Sequence, residues 1–153
     1  MVEGMYHKIA ETWRRLYRER NDALKQRIVA ARHEHAIVRV ERPSRLDRAR
    51  ALGYKAKQGF IVVRIRVGKG GMRRKRARAG RRPKHIGVVK IKQAESMKRV
   101  AERRVAERYP NMDVRGSYYL FEDGRYYWFE CILVDRAHGA VKNDRELVHQ
   151  LSH

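Results

Sequence analysis

From Arg48 to Ala94 the chain has neither Asp nor Glu, although seventeen Lys and Arg stand in that window. The net charge of the whole chain is +21, so this window supplies +17 and everything else only +4. A segment that repels itself so strongly is stable only where a polyanion supplies the counter-charge. Cysteine is almost absent. The single Cys131 excludes an internal disulfide and fits a reducing cytosol. Long apolar runs are missing too, and none approaches the roughly 20 residues that cross a bilayer. The opening MVEGMYHKIAETW lacks the apolar stretch of a secretory signal. These absences lead us to expect a soluble, intracellular protein that binds a polyanion.

A length of 153 residues suits one domain with arms or loops attached. Hydrophobic residues make up 42% and charged residues 36%, which describes a modest core carrying basic extensions. A pI near 10.9 puts nucleic acid first among polyanions, with an anionic membrane surface as the rival.

The first 35 residues read as two helices. Tyr6, Ile9, Ala10, Trp13, Leu16 and Tyr17 recur at helical spacing, with Arg14, Arg15 and Arg18 between them. Asn21-Asp22 supplies a break and an N-cap, and Leu24, Ile28 and Ala31 mark the second helix. Residues 36–41 turn β-branched and extended before Pro43. Ser44-Arg45-Leu46-Asp47 matches a capping box, opening a short helix with Leu46, Ala49 and Leu52 on one face and Gly53 at its C′ position. Phe60 to Val67 alternates as a strand: Ile61, Val63, Ile65 and Val67 take one face, and the other is expected to lead Arg64 and Arg66 outward.

Gly68, Gly70 and Gly71 free the backbone to approach another surface, and MRRKRARAGRRPK follows without any packing period. Residues 68–92 thus form a basic arm, expected to be disordered alone. From Gln93 helical periodicity resumes through Ala94, Met97, Ala101, Val105 and Tyr109, with Glu95 and Arg99 placed as an i,i+4 pair and Pro110 as the stop. Val114–Phe121 and Arg125–Val134 read as an aromatic-rich hairpin across Glu122-Asp123-Gly124, completing a helix-plus-hairpin unit over 93–135. Its aromatics are expected in the core. After Asp135 the chain reads as polar, with at most a last turn around Leu147–Leu151. The fold class expected is α+β, a small mixed or antiparallel sheet packed with helices, plus the basic arm.

No catalytic constellation emerges. His33 and His35 are two apart and face different ways on a helix; His149 and His153 have a metal-clamping spacing but no accompanying Cys or carboxylate cluster. Cys131 alternates with Phe129 and Leu133 and reads as a small buried hydrophobe, and Glu122-Asp123 as turn residues. Gly68-Lys69-Gly70-Gly71 lacks the spacing and the ending of a P-loop. The window suits phosphate instead. Arg, its commonest cation, forks onto phosphate oxygens and stacks on bases, which favours folded RNA over a diffuse charged surface.

Some of these residues are distinctive enough to compare. The run from Arg42 through Pro43-Ser44-Arg45-Leu46-Asp47 to Arg50, then Leu52-GYKAKQG-Phe60, Arg64-Ile65-Arg66-Val67 and Gly70-Gly71 closely resemble large-subunit ribosomal protein fifteen of the archaeal and eukaryotic type. The resemblance continues through His85-Ile86-Gly87-Val88, Ser117-Tyr118-Tyr119 and Phe129 to Asp135, so it covers most of the chain. Two departures touch its C-terminal contacts: the family's basic, Gly-rich tail has no counterpart here, and Arg136 stands where the family has proline.

The resemblance implies a structural protein of the large subunit, in the cytoplasm, that binds large-subunit rRNA beside neighbouring ribosomal proteins. It implies no catalysis, no membrane and no small-molecule substrate. No cofactor is expected, any Mg2+ being held through the rRNA. The RNA-binding set is then Lys55, Lys57, Arg64, Arg66, Lys69, Arg73, Arg74, Lys75, Arg76, Arg78, Arg81, Arg82, Lys84 and His85. A chromatin-like DNA-compacting protein could use the same charge. An RNA-modifying enzyme would need an active site that the sequence does not display, and a membrane-surface role would need an amphipathic basic helix where this chain has glycines.

Overall fold

Two strands, β2 (Phe60–Gly68) and β4 (Tyr126–Val134), run antiparallel at the centre, with Phe60 opposite Val134 and Gly68 opposite Tyr126. The structure, a computed structural model, describes residues 4–70, 79–85 and 93–144. β1 (Ile37–Val40) flanks β2 and β3 (Asp113–Glu122) flanks β4, giving the order β1-β2-β4-β3 with every pair antiparallel. The expected α+β fold is present, and its sheet is antiparallel rather than mixed. The short turn between β3 and β4 requires this of that pair, because parallel neighbours need a long crossover.

One face of the sheet carries α4 (Met97–Arg108), whose Ala101 and Val105 are fully buried against Val63, Ile65, Val67, Phe129, Cys131 and Leu133. Ser96 caps this helix, its Oγ accepting from the Arg99 N–H at 3.2 Å. The expected Glu95–Arg99 pair does not form. Glu95 lies ahead of the cap, outside the helical repeat, and its carboxylate is 3.5 Å from Arg103 Nε. Ala94, also ahead of the cap, is exposed.

The opposite face is roofed by α1 (Met5–Glu19), α2 (Asp22–His33) and α3 (Leu46–Ala51). Trp13, Leu24 and Ala31 meet Leu120, Phe121 and Trp128, while Ala49 of α3 packs with Tyr54, Val62, Tyr118 and Ile132. Leu120 and Phe121 are both buried although adjacent, because the β3–β4 register shifts between Tyr119 and Phe121. Asn21 caps α2 as expected, accepting from the Leu24 N–H at 3.1 Å. Because three helices cover this face, the expected outward row of guanidiniums is not there: the Arg64 side chain is only 18% exposed.

Two local expectations fail for physical reasons. Ser44 does not cap α3, which begins at Leu46 without a side-chain cap. Its N–H and hydroxyl both go to the buried carboxylate of Glu130, and Asp47 takes the Arg45 guanidinium at 2.9 Å. Charge-assisted bonds to a buried anion outcompete an end-of-helix N–H that water can serve. Beyond Asp135, a four-residue α5 (Gly139–Lys142) buries Val141 against Val134 and Phe60. One turn has no periodicity to detect. The turn expected around 147–151 lies outside the described residues, as do His149 and His153.

Candidate nucleic-acid interface

The basic arm is rooted at one place. The β2 ladder ends as the Lys69 N–H donates to the Arg125 carbonyl at 2.7 Å. Gly70, where the chain leaves, and Gln93, where it returns, line the same cleft of about 370 Å³ beside Met97 and Arg103. A rigid strand and a capped helix therefore hold both ends. Within the arm, Pro83–His85 forms one 3-10 turn, and Arg81, Arg82, Lys84 and His85 are exposed. Arg73, Arg74, Lys75, Arg76 and Arg78 lie outside the described residues.

The remaining cations of the sequence-derived set already hold partners within the chain. Lys55 Nζ and Lys57 Nζ lie 3.1 and 2.8 Å from the same Asp144 Oδ2. Lys69 Nζ is 3.0 Å from Glu122 and 4.5 Å from the Tyr127 ring centroid. Arg66 donates to the Arg32 carbonyl at 3.1 Å and lies over Tyr126. Arg64 donates to both oxygens of Glu34, at 3.1 and 3.0 Å, and its Nε is 3.5 Å from Glu130. These partnerships differ in strength. Lys57 is half exposed, and such a pair yields readily to a phosphate. Arg64 lies over a fully buried carboxylate and is committed to the fold.

Sequence reasoning passed over the cations of the helices. Arg14, Arg15, Arg18 and Arg20 are exposed at α1, as are Arg48 and Arg50 at α3. Their signal was the spacing of Arg14, Arg15 and Arg18 between the apolar positions around Trp13.

The buried polar cluster of the roofed face serves the fold. Glu130, wholly inaccessible, accepts from Ser44 N–H (2.9 Å), Ser44 Oγ (2.6 Å) and Tyr118 OH (2.6 Å). Burial, followed by the charge of Glu130, raises the Tyr118 hydroxyl far above its ordinary value. Burial also pushes the Cys131 thiol up to about 12, with the charge of Glu102 adding to it, so the thiol is inert. Asp123 organises the hairpin turn, its Oδ1 accepting from the Arg125 and Tyr126 N–H groups at 2.7 and 2.6 Å. Among the described residues no group of three or more His, Cys, Asp or Glu gathers to hold a metal, and no helix is long and apolar enough to cross a membrane.

The family model described as Ribosomal L15 matches residues 4–151. The chain belongs to that family. Membership makes it a structural protein of the large ribosomal subunit rather than an enzyme, and places it on the ribosome among rRNA and other ribosomal proteins. The GYKAKQG segment now has a position: it links α3 to β2, its Gly53 at φ +83° ending the helix and its Gly59 at φ +92° starting the strand. The match also spans the whole basic arm, residues 68–92.

Proposed function

We propose that this chain binds and stabilises folded large-subunit rRNA, with the arm as its principal contact. The observation that carries the reading is the acid-free window: +17 of the net +21 lies between Arg48 and Ala94. Its most concentrated part is tethered at both ends to the rigid sheet and α4. Arg73, Arg74, Lys75, Arg76, Arg78, Arg81, Arg82 and Lys84 neutralise phosphates where RNA segments converge, and His85 lies beside them. Lys57, half exposed, turns from Asp144 to a phosphate, while Lys55 and Lys69 add their charge beside it. Arg64 and Arg66, held against Glu34 and the Arg32 carbonyl, brace the strand from which the arm departs. Any Mg2+ at the interface is held through the RNA.

The test is the salt dependence of binding to deproteinised large-subunit rRNA. With about eight phosphates engaged, log affinity falls against log salt with a slope of roughly −6 to −7. Replacing Arg73, Arg74, Lys75 and Arg76 together by Ala flattens that slope and leaves the fold unchanged by circular dichroism. An unchanged slope would remove the arm as the main contact. Stronger binding to duplex DNA than to rRNA in direct competition would favour a DNA-compacting role instead.

A further inference from the structure

Between the α1–α2 turn and β3 lies a second cleft, of about 390 Å³, with a lining distinct from that of the cleft at the roots of the arm. Its apolar lining comes from Leu24, Ile28 and Phe121, and Tyr119 forms an aromatic wall. Tyr119 is the one large aromatic of the hairpin left 37% exposed; its ring leans on Phe129 at 6.2 Å and Tyr17 at 6.0 Å. A ring braced on two others is a rigid plane. Two cations, Arg20 and Lys25, complete the lining. Its one acidic residue, Glu122, is 3.0 Å from Lys69, and Lys25 is 2.9 Å from Asp22 in an exposed pair.

Arg20 is the second, independent observation. It ends α1 at φ +45°, the only described residue other than glycine with a positive φ, and its N–H donates to the Leu16 carbonyl at 3.0 Å. Glycine is the favoured residue in that conformation, and any other side chain there is strained. The bond to Leu16 holds the backbone in that conformation, which sets the Arg20 side chain on the lining of the cleft.

We propose that this cleft receives the base of an unstacked RNA nucleotide, which stacks on Tyr119 while Arg20 and Lys25 hold the flanking phosphates. The volume falls in the range of small-ligand pockets, and an aromatic plane beside fixed cations is what unstacked nucleotides select. The proposal rests on the rRNA-binding reading and adds a contact outside the arm, one governed by stacking rather than charge.

The experiment compares the full chain with Tyr119→Leu, Tyr119→Phe and Arg20→Gly for affinity to deproteinised large-subunit rRNA across a salt series. Tyr119→Leu keeps apolar volume without a ring; it should weaken binding roughly 5- to 150-fold with the salt slope unchanged, while Tyr119→Phe binds like the parent. Arg20→Gly should reduce the slope by about 0.7 and raise the melting temperature, because it relieves the left-handed strain. Parent-like affinity of Tyr119→Leu overturns the proposal and leaves the arm's role standing. Parent-like affinity combined with loss of Tyr119→Leu from assembled subunits would also overturn it, by placing a neighbouring protein in the cleft. Failure of the parent chain itself to bind rRNA would instead overturn the reading on which the proposal stands.

Discussion

Ser44 gives both of its donors, the backbone N–H at 2.9 Å and the hydroxyl at 2.6 Å, to the one carboxylate of Glu130. The residues are 86 positions apart, and this bond ties the entrance of α3 to the most buried strand of the sheet. Ser44, Tyr118 and the nearby Arg64 surround the Glu130 carboxylate in the interior, and a buried polar group is costly without such partners. Ser44→Ala should therefore cost about 1–3 kcal/mol, by leaving one carboxylate oxygen short of a donor. Glu130→Gln should cost about 3 kcal/mol, because either orientation of the amide turns N–H groups toward donors. Urea unfolding of both variants measures this. Values near zero for both would show that the cluster does not hold α3 to the sheet.

Arg64 and Lys57 separate fold from binding. Arg64→Met leaves Glu130 with less compensation and should lower stability by about 3 kcal/mol. Lys57→Gln removes a half-exposed pair with Asp144, should change stability by less than about 0.5 kcal/mol, and should flatten the salt slope of rRNA binding slightly. Denaturant titration beside a salt series on the same preparations reads both effects. The opposite pattern, a stable Arg64→Met with a flattened slope, would return Arg64 to the RNA interface.

Gly59 permits a close approach that no other residue could make. At φ +92°, a Cβ there would come within 2.6 Å of Val141 Cγ2, and its carbonyl accepts from the Asp135 N–H at 2.8 Å. Gly59→Ala should cost about 2 kcal/mol or more and loosen α5. Gly124→Ala, with nothing within 4 Å, should stay within about 0.5 kcal/mol of the parent. Thermal melts of the two side by side give the contrast.

The pH limits follow from the hairpin. For Asp123, burial opposes ionisation, but the N–H groups of Tyr126 and Arg125 and the Arg32 guanidinium outweigh it and lower the carboxyl below its ordinary 3.8. A depressed folded value means that its contribution is complete above 3.8 and is lost as pH falls through the lower folded value. The Arg32 partner is half exposed although the Asp123 side chain itself is only 8% accessible, so solvent screening keeps the loss small. Burial first, then Glu130, raises Tyr118, and burial raises Tyr17, each from 10.0, so their contribution is complete below pH 10 and declines as pH climbs beyond it. Melting temperature against pH should fall at both ends. Tyr118→Phe should remove part of the alkaline limb, and Asp123→Asn part of the acid limb.

Salt should act oppositely on folding and on binding. A net charge of +21 makes the free chain repel itself, so raising NaCl from about 0.05 to about 0.5 M should raise its melting temperature while weakening rRNA binding. A melting temperature that falls with salt would mean that internal pairs such as Lys55–Asp144 outweigh the self-repulsion.

Residues acting through their neighbours along the chain were legible without coordinates. The stripe around Trp13, the Asn21 cap, the alternation from Ile61 to Val67 and the hairpin across Asp123 each state a period or a turn locally, and each element formed. The acid-free window and GYKAKQG carried the family, because charge and glycine placement need no fold to be read. Tertiary structure decided where competing partners lay. Ser44 could serve Asp47 locally or Glu130 at long range, and only packing brings a buried anion to it. Arg64 alternates outward from its strand, yet three helices roof that face and turn it to Glu34. The cleft at Tyr119 exists because a register shift, unwritten in any local pattern, buries Phe121 and leaves its neighbour but one at the surface. Local periodicity is a property of the chain; a choice between two partners is a free-energy difference that only the assembled fold sets.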